Sequence, residues 1–263
     1  MSTDPVTLDI QDSIARINFN RPDSFNAINT EAVIKLHEIV NKLYSNKKVR
    51  VVVLSGSGDK AFCAGGDVSE FSQAGGGVDQ MVREMTSYLH VAISRLAWLN
   101  APVIARVNGV AAGAGLSFVA CCDLAIAINT ATFTSAYTKI GFTPDGSSTF
   151  FLPRLIGRKR VLELYLTNRV LNAEEALEWG LINQVTSSQD LNLETDKLAE
   201  SLARGPTKAF GGIKKLVMMS PNDSLESQME RETRYIAEMT VSKDGVEGVT
   251  AFVEKRKPNF TGE

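Results

Sequence analysis

Residues 6–10 and 14–19 are rich in apolar and β-branched positions on either side of Gln11-Asp12-Ser13, which predicts a short strand pair. Arg21-Pro22-Asp23 then breaks the pattern. From Glu31, residues Val33, Leu36, His37, Val40, Leu43 and Tyr44 recur at helical spacing, and Thr30 is placed as the N-cap. Val51-Val52-Val53-Leu54 is a continuous apolar run ended by Ser55-Gly56-Ser57-Gly58, the pattern of a strand buried on both faces. Runs at 103–107, 124–128 and 181–185 repeat it, with helical stretches at about 83–99, 113–121 and 158–168. This alternation predicts an α/β fold with helices packed on largely parallel strands. Gly75-Gly76-Gly77 is the one stretch that reads as flexible.

After about residue 190 the strand signals stop. Asp223 with Glu226, and Asp244 with Glu247, have the spacing of capping boxes. They predict one helix through about Val241 and another ending near Lys257-Pro258. Leu225, Met229, Ile236 and Met239 form an apolar stripe that asks for burial against another surface. The chain is thus divided into an α/β core, 1–195, and a helical C-terminal region, 196–263.

Composition narrows the function classes. The 263 residues are 44% hydrophobic and 22% charged, which excludes a disordered tail, a collagen or a disulfide-stapled mini-protein. The net charge of −2 gives no global footprint for nucleic acid or an acidic membrane. Cys63, Cys121 and Cys122 are an odd set and suggest no disulfide framework. The ends show no signal, transit or retention pattern, and no apolar run is long enough to span a bilayer. These features lead us to expect a soluble cytoplasmic protein. His37 and His90 are the two histidines, with no zinc spacing, so no metal site is expected.

Among the glycine loops, Gly56-Ser57-Gly58-Asp59-Lys60-Ala61 fits a dinucleotide pattern only weakly, because another loop follows it instead of a helix. Neither a P-loop nor a nucleophile elbow is present. Ala64-Gly65-Gly66-Asp67 and the segment Gly109 to Gly115 each follow a predicted strand and precede a predicted helix. Such loops can aim two backbone N–H groups at one carbonyl oxygen, forming an oxyanion hole. Small residues also simply permit tight turns, and composition alone favours that reading.

Five segments resemble signatures of the crotonase (enoyl-CoA hydratase/isomerase) superfamily. They are Asn20-Arg21-Pro22-Asp23-Ser24-Phe25-Asn26-Ala27, Ala61 to Asp67, Pro102 to Gly109, Leu152-Pro153-Arg154, and the ending Phe252 to Phe260. They run in order across nearly the whole chain. The resemblance implies a spiral of β-β-α repeats followed by a helical trimerisation region. It implies an acyl-CoA thioester substrate, a homotrimer or hexamer, and no cofactor beyond the substrate's CoA moiety. The oxyanion donors map to the N–H groups of Gly66 and Ala114; the second is usually glycine, and its donor survives if φ at Ala114 is negative. CoA contacts map to Ser24, Phe25, Ala64, Asp67 and Val68, with Phe252 and Lys255 beside the adenine and phosphates of this or a neighbouring subunit. For Lys255 a solvated surface position is an equal reading.

The resemblance also bears on the reaction. The two glutamates with which the hydratases place water map to Ser117 and Tyr137, so hydration is expected to be weak or absent. Asp145, in Gly141-Phe142-Thr143-Pro144-Asp145-Gly146, holds the position of the acid/base in the enoyl-CoA isomerases and the ring-epoxide isomerase branch. Pro-Asp-Gly is also turn chemistry, and a turn can present a side chain to a pocket. Phe62, Phe142 and Phe150 are candidate walls. A double-bond shift through an enolate, with Asp145 as proton shuttle, is the leading expectation. The halobenzoyl-CoA dehalogenases, in which this Asp is a nucleophile and a His activates water, are the runner-up. His90 lies at the matching distance before Pro102, but its apolar helical setting favours a structural role. Tyr137 replaces that branch's tryptophan, and Pro144 an expected Asn. Enoyl-CoA hydration and a non-catalytic acyl-CoA- or RNA-binding relative complete the alternatives.

Overall fold

The strand pair at the start forms as the pattern requires: β1 (Val6–Gln11) and β2 (Ile14–Phe19) are antiparallel, with Val6 opposite Phe19. Asp12 and Ser13, both at positive φ, make the turn. The computed structural model describes residues 3–263; Met1 and Ser2, which open the stretch read for a targeting signal, lie outside the described residues. Helix α1 (Thr30–Ser45) is capped by Asn29, not Thr30. Asn29 has the extended backbone an N-cap needs, and its side chain accepts the Ala32 N–H at 3.0 Å, whereas Thr30 is already helical.

The chain continues through β3 (Val51–Gly56), β4 (Ala61–Cys63), α2 (Val68–Ala74) and α3 (Val78–Trp98). Then come β5 (Val103–Val107), β6 (Val110–Ala112), α4 (Ala114–Cys121), β7 (Leu124–Ile128) and β8 (Thr132–Thr134). The helices α5 (Ser148–Ile156) and α6 (Arg158–Thr167) precede β9 (Val170–Asn172), α7 (Ala173–Glu178) and β10 (Gln184–Thr186). The expected strand at 181–185 is therefore shorter and later. Leu181 and Ile182 follow the positive-φ turn at Gly180 and are buried as core side chains. Gly75–Gly77, expected to be flexible, is a 3-10 turn joining α2 to α3.

Six strands form one sheet in the order β1-β2-β3-β5-β7-β10, and four form a second in the order β4-β6-β8-β9. From β2 onward the large sheet is parallel. The units β3-β4, β5-β6 and β7-β8 each put a long strand in the first sheet and a short one in the second. Each unit then runs into one or more helices, which is the β-β-α repeat. Every residue of β3 is buried, because the large sheet has helices on both sides. One side is the main core, with Leu36, Val40 and Leu43 from α1 and Leu89 and Leu96 from α3. On the other, Ala199 and Ala203 of α8 (Leu191–Ala203) cover Val51, Val53 and Ile104.

No strand follows β10 among the described residues, as the sequence implied. The boundary placed after residue 195 falls inside α8. Helix α9 (Thr207–Met219) is tied down by Lys214, whose Nζ lies 2.6 Å from Asp123 Oδ2 and donates to Ala101 O at 3.1 Å. The caps of α10 (Leu225–Thr240) and α11 (Lys243–Val253) are Ser224 and Ser242, not Asp223 and Asp244. Asp223 is instead paired with Arg231, and Asp244 accepts the N–H groups of Thr261 and Gly262. Arg50 completes this anchorage of the C-terminal tail by donating to Phe260 O and Gly205 O. Helix α11 stops at Val253, short of Lys257-Pro258. Within one chain, Leu225, Met229 and Ile236 remain exposed on α10, while Met239 is half-buried.

Candidate active site

Two glycine loops meet where the short sheet feeds its helices. The first leaves β4 as Ala64-Gly65-Gly66-Asp67, with Gly65 at φ +99°; the second leaves β6 through Gly113 at φ +53°. A side chain on Gly65 would place its first carbon 3.0 Å from Ala112 O and 3.4 Å from Ala114 N, so the loops lie directly against each other. Gly66 faces Ile28 in a parallel bridge, whose bonds run from Ile28 N to Gly65 O and from Asp67 N to Ile28 O. Those bonds flank Gly66 and leave its own N–H outside the bridge. Ala114 opens α4, in the first turn where N–H groups have no intrahelical acceptor. It is not among the positive-φ residues, so its methyl group is no obstacle to the backbone geometry.

Asp145 lies in the loop before α5, whose main chain packs on α4 at Ser117; Gly66 and Ala114 do not line the cavity that Asp145 borders. Gly146 and Ser147, both at positive φ, form a turn that Asp145 opens and the Ser148 N–H closes on Asp145 O at 3.4 Å, one residue later than the Pro-Asp-Gly reading, and Asp145 borders a cavity. Asp145 Oδ1 lies 2.7 Å from His90 Nε2. The apolar helical setting expected for His90 does not bury it. The α3 residues facing the core are Leu89, Ala92 and Ile93, while the His90 side chain is 53% exposed and turned to the loop. The main-chain oxygen of Asp145 is held separately. It accepts from Ser117 Oγ at 2.8 Å, Ser148 Oγ at 3.0 Å and Tyr137 Oη at 3.4 Å. Burial, the largest influence on the Tyr137 phenol, raises its pKa well above the ordinary tyrosine value and keeps it neutral.

The cavity beside His90 and Asp145 has a volume of about 550 Å³, with Trp98, Phe150, Phe151 and Met218 among its walls. Of the expected wall residues, Phe150 is present. Phe62 is instead fully buried, edge-on to Phe19, and Phe142 is an exposed loop residue beside Phe71. Trp98 lay within the helical stretch read at 83–99 and Met218 had no sequence signal; they are assembled here because α3 and α9 pack together.

A second cavity, about 590 Å³ and mainly polar, is lined by Arg21, Ser24, Phe25, Asp67 and Val68. It gathers four of the expected CoA contacts. Ala64 lies beneath it, with its N–H donated to Phe25 O at 3.0 Å. Arg21 is an addition to that set, paired with Asp67 at 2.9 Å. Partial burial alone would raise the Asp67 carboxyl, but Arg21 and the N–H groups of Ser69 and Glu70 outweigh it and hold it below the ordinary value. Phe252 and Lys255, on and just after α11, are exposed and line neither cavity. Among the described residues, no group of three or more His, Cys, Asp or Glu side chains could hold a metal. No described helix is long and apolar enough to cross a membrane.

The chain is 35% identical over 255 residues to 1,2-epoxyphenylacetyl-CoA isomerase of Escherichia coli (strain K12), covering 97% of each. It is 35% identical over 232 residues to 4-chlorobenzoyl coenzyme A dehalogenase-2 of Arthrobacter sp, covering 88% of this chain and 84% of that one. The crystal structure of an enoyl-CoA hydratase from Bacillus anthracis superposes with a TM-score of 0.92 at 32% identity, over 98% of this chain and 100% of that one. The family model for enoyl-CoA hydratase/isomerase matches residues 9–263. With the glycine loops, the β-β-α repeats and this near-complete match in agreement, the chain belongs to the enoyl-CoA hydratase/isomerase family, the crotonase superfamily.

Proposed function

We propose that the protein is an acyl-CoA isomerase that moves a double bond, or opens a related epoxide or ring system, through a thioester enolate. One observation carries this reading. The two positions at which hydratases hold water-activating glutamates carry Ser117 and Tyr137, and both hydroxyls are turned onto the main-chain oxygen of Asp145. A single carboxylate therefore stands in place of a pair. One base on one face of the substrate can remove the proton at C2 and return it at C4. The α-proton of a thioester is only weakly acidic, so the oxygen must carry the developing charge. The N–H groups of Gly66 and Ala114 would hold it, each worth about 3–4 kcal/mol in such a role.

In this reading the CoA moiety lies along Ser24, Phe25, Ala64, Asp67 and Val68, and no further cofactor is used. Phe252 and Lys255 would meet the adenine and phosphates of a neighbouring subunit, since both are exposed and neither lines the two cavities described above. The exposed apolar faces of α10 and α11 support a homotrimer, or a hexamer built from two.

A second reading is favoured by the His90–Asp145 contact of 2.7 Å. A carboxylate beside an imidazole also suits nucleophilic attack on the chlorine-bearing ring carbon of a 4-chlorobenzoyl thioester, with chloride leaving as the aryl-enzyme ester forms, followed by hydrolysis of that ester with His90 activating water. A thioester panel separates the two. Conversion of a 3-enoyl-CoA to its conjugated isomer at unchanged mass is expected. Chloride release from 4-chlorobenzoyl-CoA without isomerisation would select the second reading, and a gain of one water on a 2-enoyl-CoA would restore hydration.

A further inference from the structure

We infer that Ser117 is a positioning residue that fixes the Asp145 carboxylate relative to the oxyanion loop. The inference rests on the reading of Asp145 as the base. Ser117 lies on α4, three residues after Ala114, whose N–H opens that helix. One helical turn therefore separates the oxyanion donor from this hydroxyl. The side chain is fully buried. Its hydroxyl also neighbours the Tyr137 phenol, and of the two main-chain acceptors in reach, Asp145 O at 2.8 Å and Gly113 O at 3.3 Å, the shorter contact is the one to the Asp145 loop.

Packing supports the same link. Gly146 sits at φ +63°, and a side-chain carbon there would lie 3.0 Å from Ser117 Cβ and 3.2 Å from its Oγ. The main chain after Asp145 thus rests on Ser117 with no room for anything larger on either side. Ser148, the other close donor to Asp145 O, is three residues away in the same turn and only shapes the loop locally. Ser117 is 28 residues distant, on the element that carries the oxyanion donor. It is the bond through which the two halves of the site share one frame. The role is geometric: Ser117 touches the loop, not the reacting atoms. Misplacement of a catalytic group by about 1 Å can cost about a hundredfold in rate, so a partial loosening is read as a tenfold one.

The test compares Ser117→Ala, Ser117→Cys and Asp145→Asn on whichever thioester the panel shows to be converted. Binding is measured by calorimetry with butyryl-CoA, which has no double bond to move. Ser117→Ala is expected to lower kcat about tenfold, with KM and butyryl-CoA affinity within twofold of the parent. Ser117→Cys keeps the shape and weakens the donor, so it should fall between the two. Unchanged kcat in Ser117→Ala, or losses in KM and butyryl-CoA affinity as large as the loss in kcat, would overturn the positioning role. If Asp145→Asn keeps the parent kcat, the fault lies instead with the reading of Asp145 as the base.

Discussion

His90 Nε2 and Asp145 Oδ1 stand 2.7 Å apart across 55 residues of sequence, one on α3 and the other in the loop before α5. The contact occupies one oxygen of the carboxylate, Oδ1. The main-chain oxygen of the same aspartate is occupied by Ser117, Ser148 and Tyr137. Asp145 is thus gripped at both ends, the arrangement expected of a group that must meet a substrate at a set distance.

Asp145→Asn keeps the shape of the side chain and removes its basicity. We expect turnover to fall about a thousandfold, within the range of positioned acid–base groups, while butyryl-CoA binding by calorimetry persists. Turnover near the parent rate would remove Asp145 from the mechanism.

Cys63 lies at the end of β4, immediately before the first glycine loop, and its sulfur accepts the Gly65 N–H at 3.4 Å. Burial pushes its thiol up to about 12, so almost no thiolate exists at neutral pH. Iodoacetamide at pH 8 should leave Cys63 unlabelled in the folded protein and label it after denaturation, read by peptide mass. Rapid labelling of the native protein would contradict its place in the core.

The Arg21–Asp67 pair links the polar cavity to α2, which Asp67 also caps by accepting the Ser69 N–H. Asn caps a helix about as well as Asp, so Asp67→Asn isolates the ion pair. The folded-state carboxyl lies below its ordinary value, which means its stabilising effect is present above about pH 4 and is lost as the pH falls through the depressed value. Urea denaturation should show Asp67→Asn less stable by about 1 kcal/mol at pH 7, with the difference closing as the pH is lowered past 4. A constant difference across that range would assign the effect to packing.

Met229 and Ile236, seven residues apart on one face of α10, are 55% and 67% exposed. If that face is covered by another copy, Met229→Glu with Ile236→Glu should reduce the mass in light scattering to that of one chain while circular dichroism is unchanged. An unaltered mass would place the subunit contact elsewhere. This double substitution is cleaner than truncation after Pro221, which would also remove the tail that Arg50 and Asp244 hold.

Much of this architecture is local and therefore legible in sequence. The apolar runs at 51–54, 103–107 and 124–128 are strands because β-branched, unbroken runs suit burial on both faces, and all three lie in the parallel sheet. The glycine loops were readable because only glycine takes the positive φ found at Gly65 and Gly113 without cost. Caps were less legible. Asp, Asn, Ser and Thr all cap, so Thr30, Asp223 and Asp244 each had a competing neighbour within two residues, and backbone conformation decided for Asn29, Ser224 and Ser242.

The sequence by itself determined the strand and helix pattern, the two bare loops and the aspartate held in a turn, because each depends on neighbours along the chain. Only the tertiary structure decided the fate of His90. Periodicity placed it on α3 but could not say that the exposed side of that helix would meet a loop 55 residues later. The same holds for Ser117 and Tyr137, whose residue types excluded a carboxylate role but whose shared acceptor appears only when α4, the segment carrying Tyr137 and the Asp145 loop pack together. A hydroxyl's partner is set by distance in space, and no local rule carries that distance.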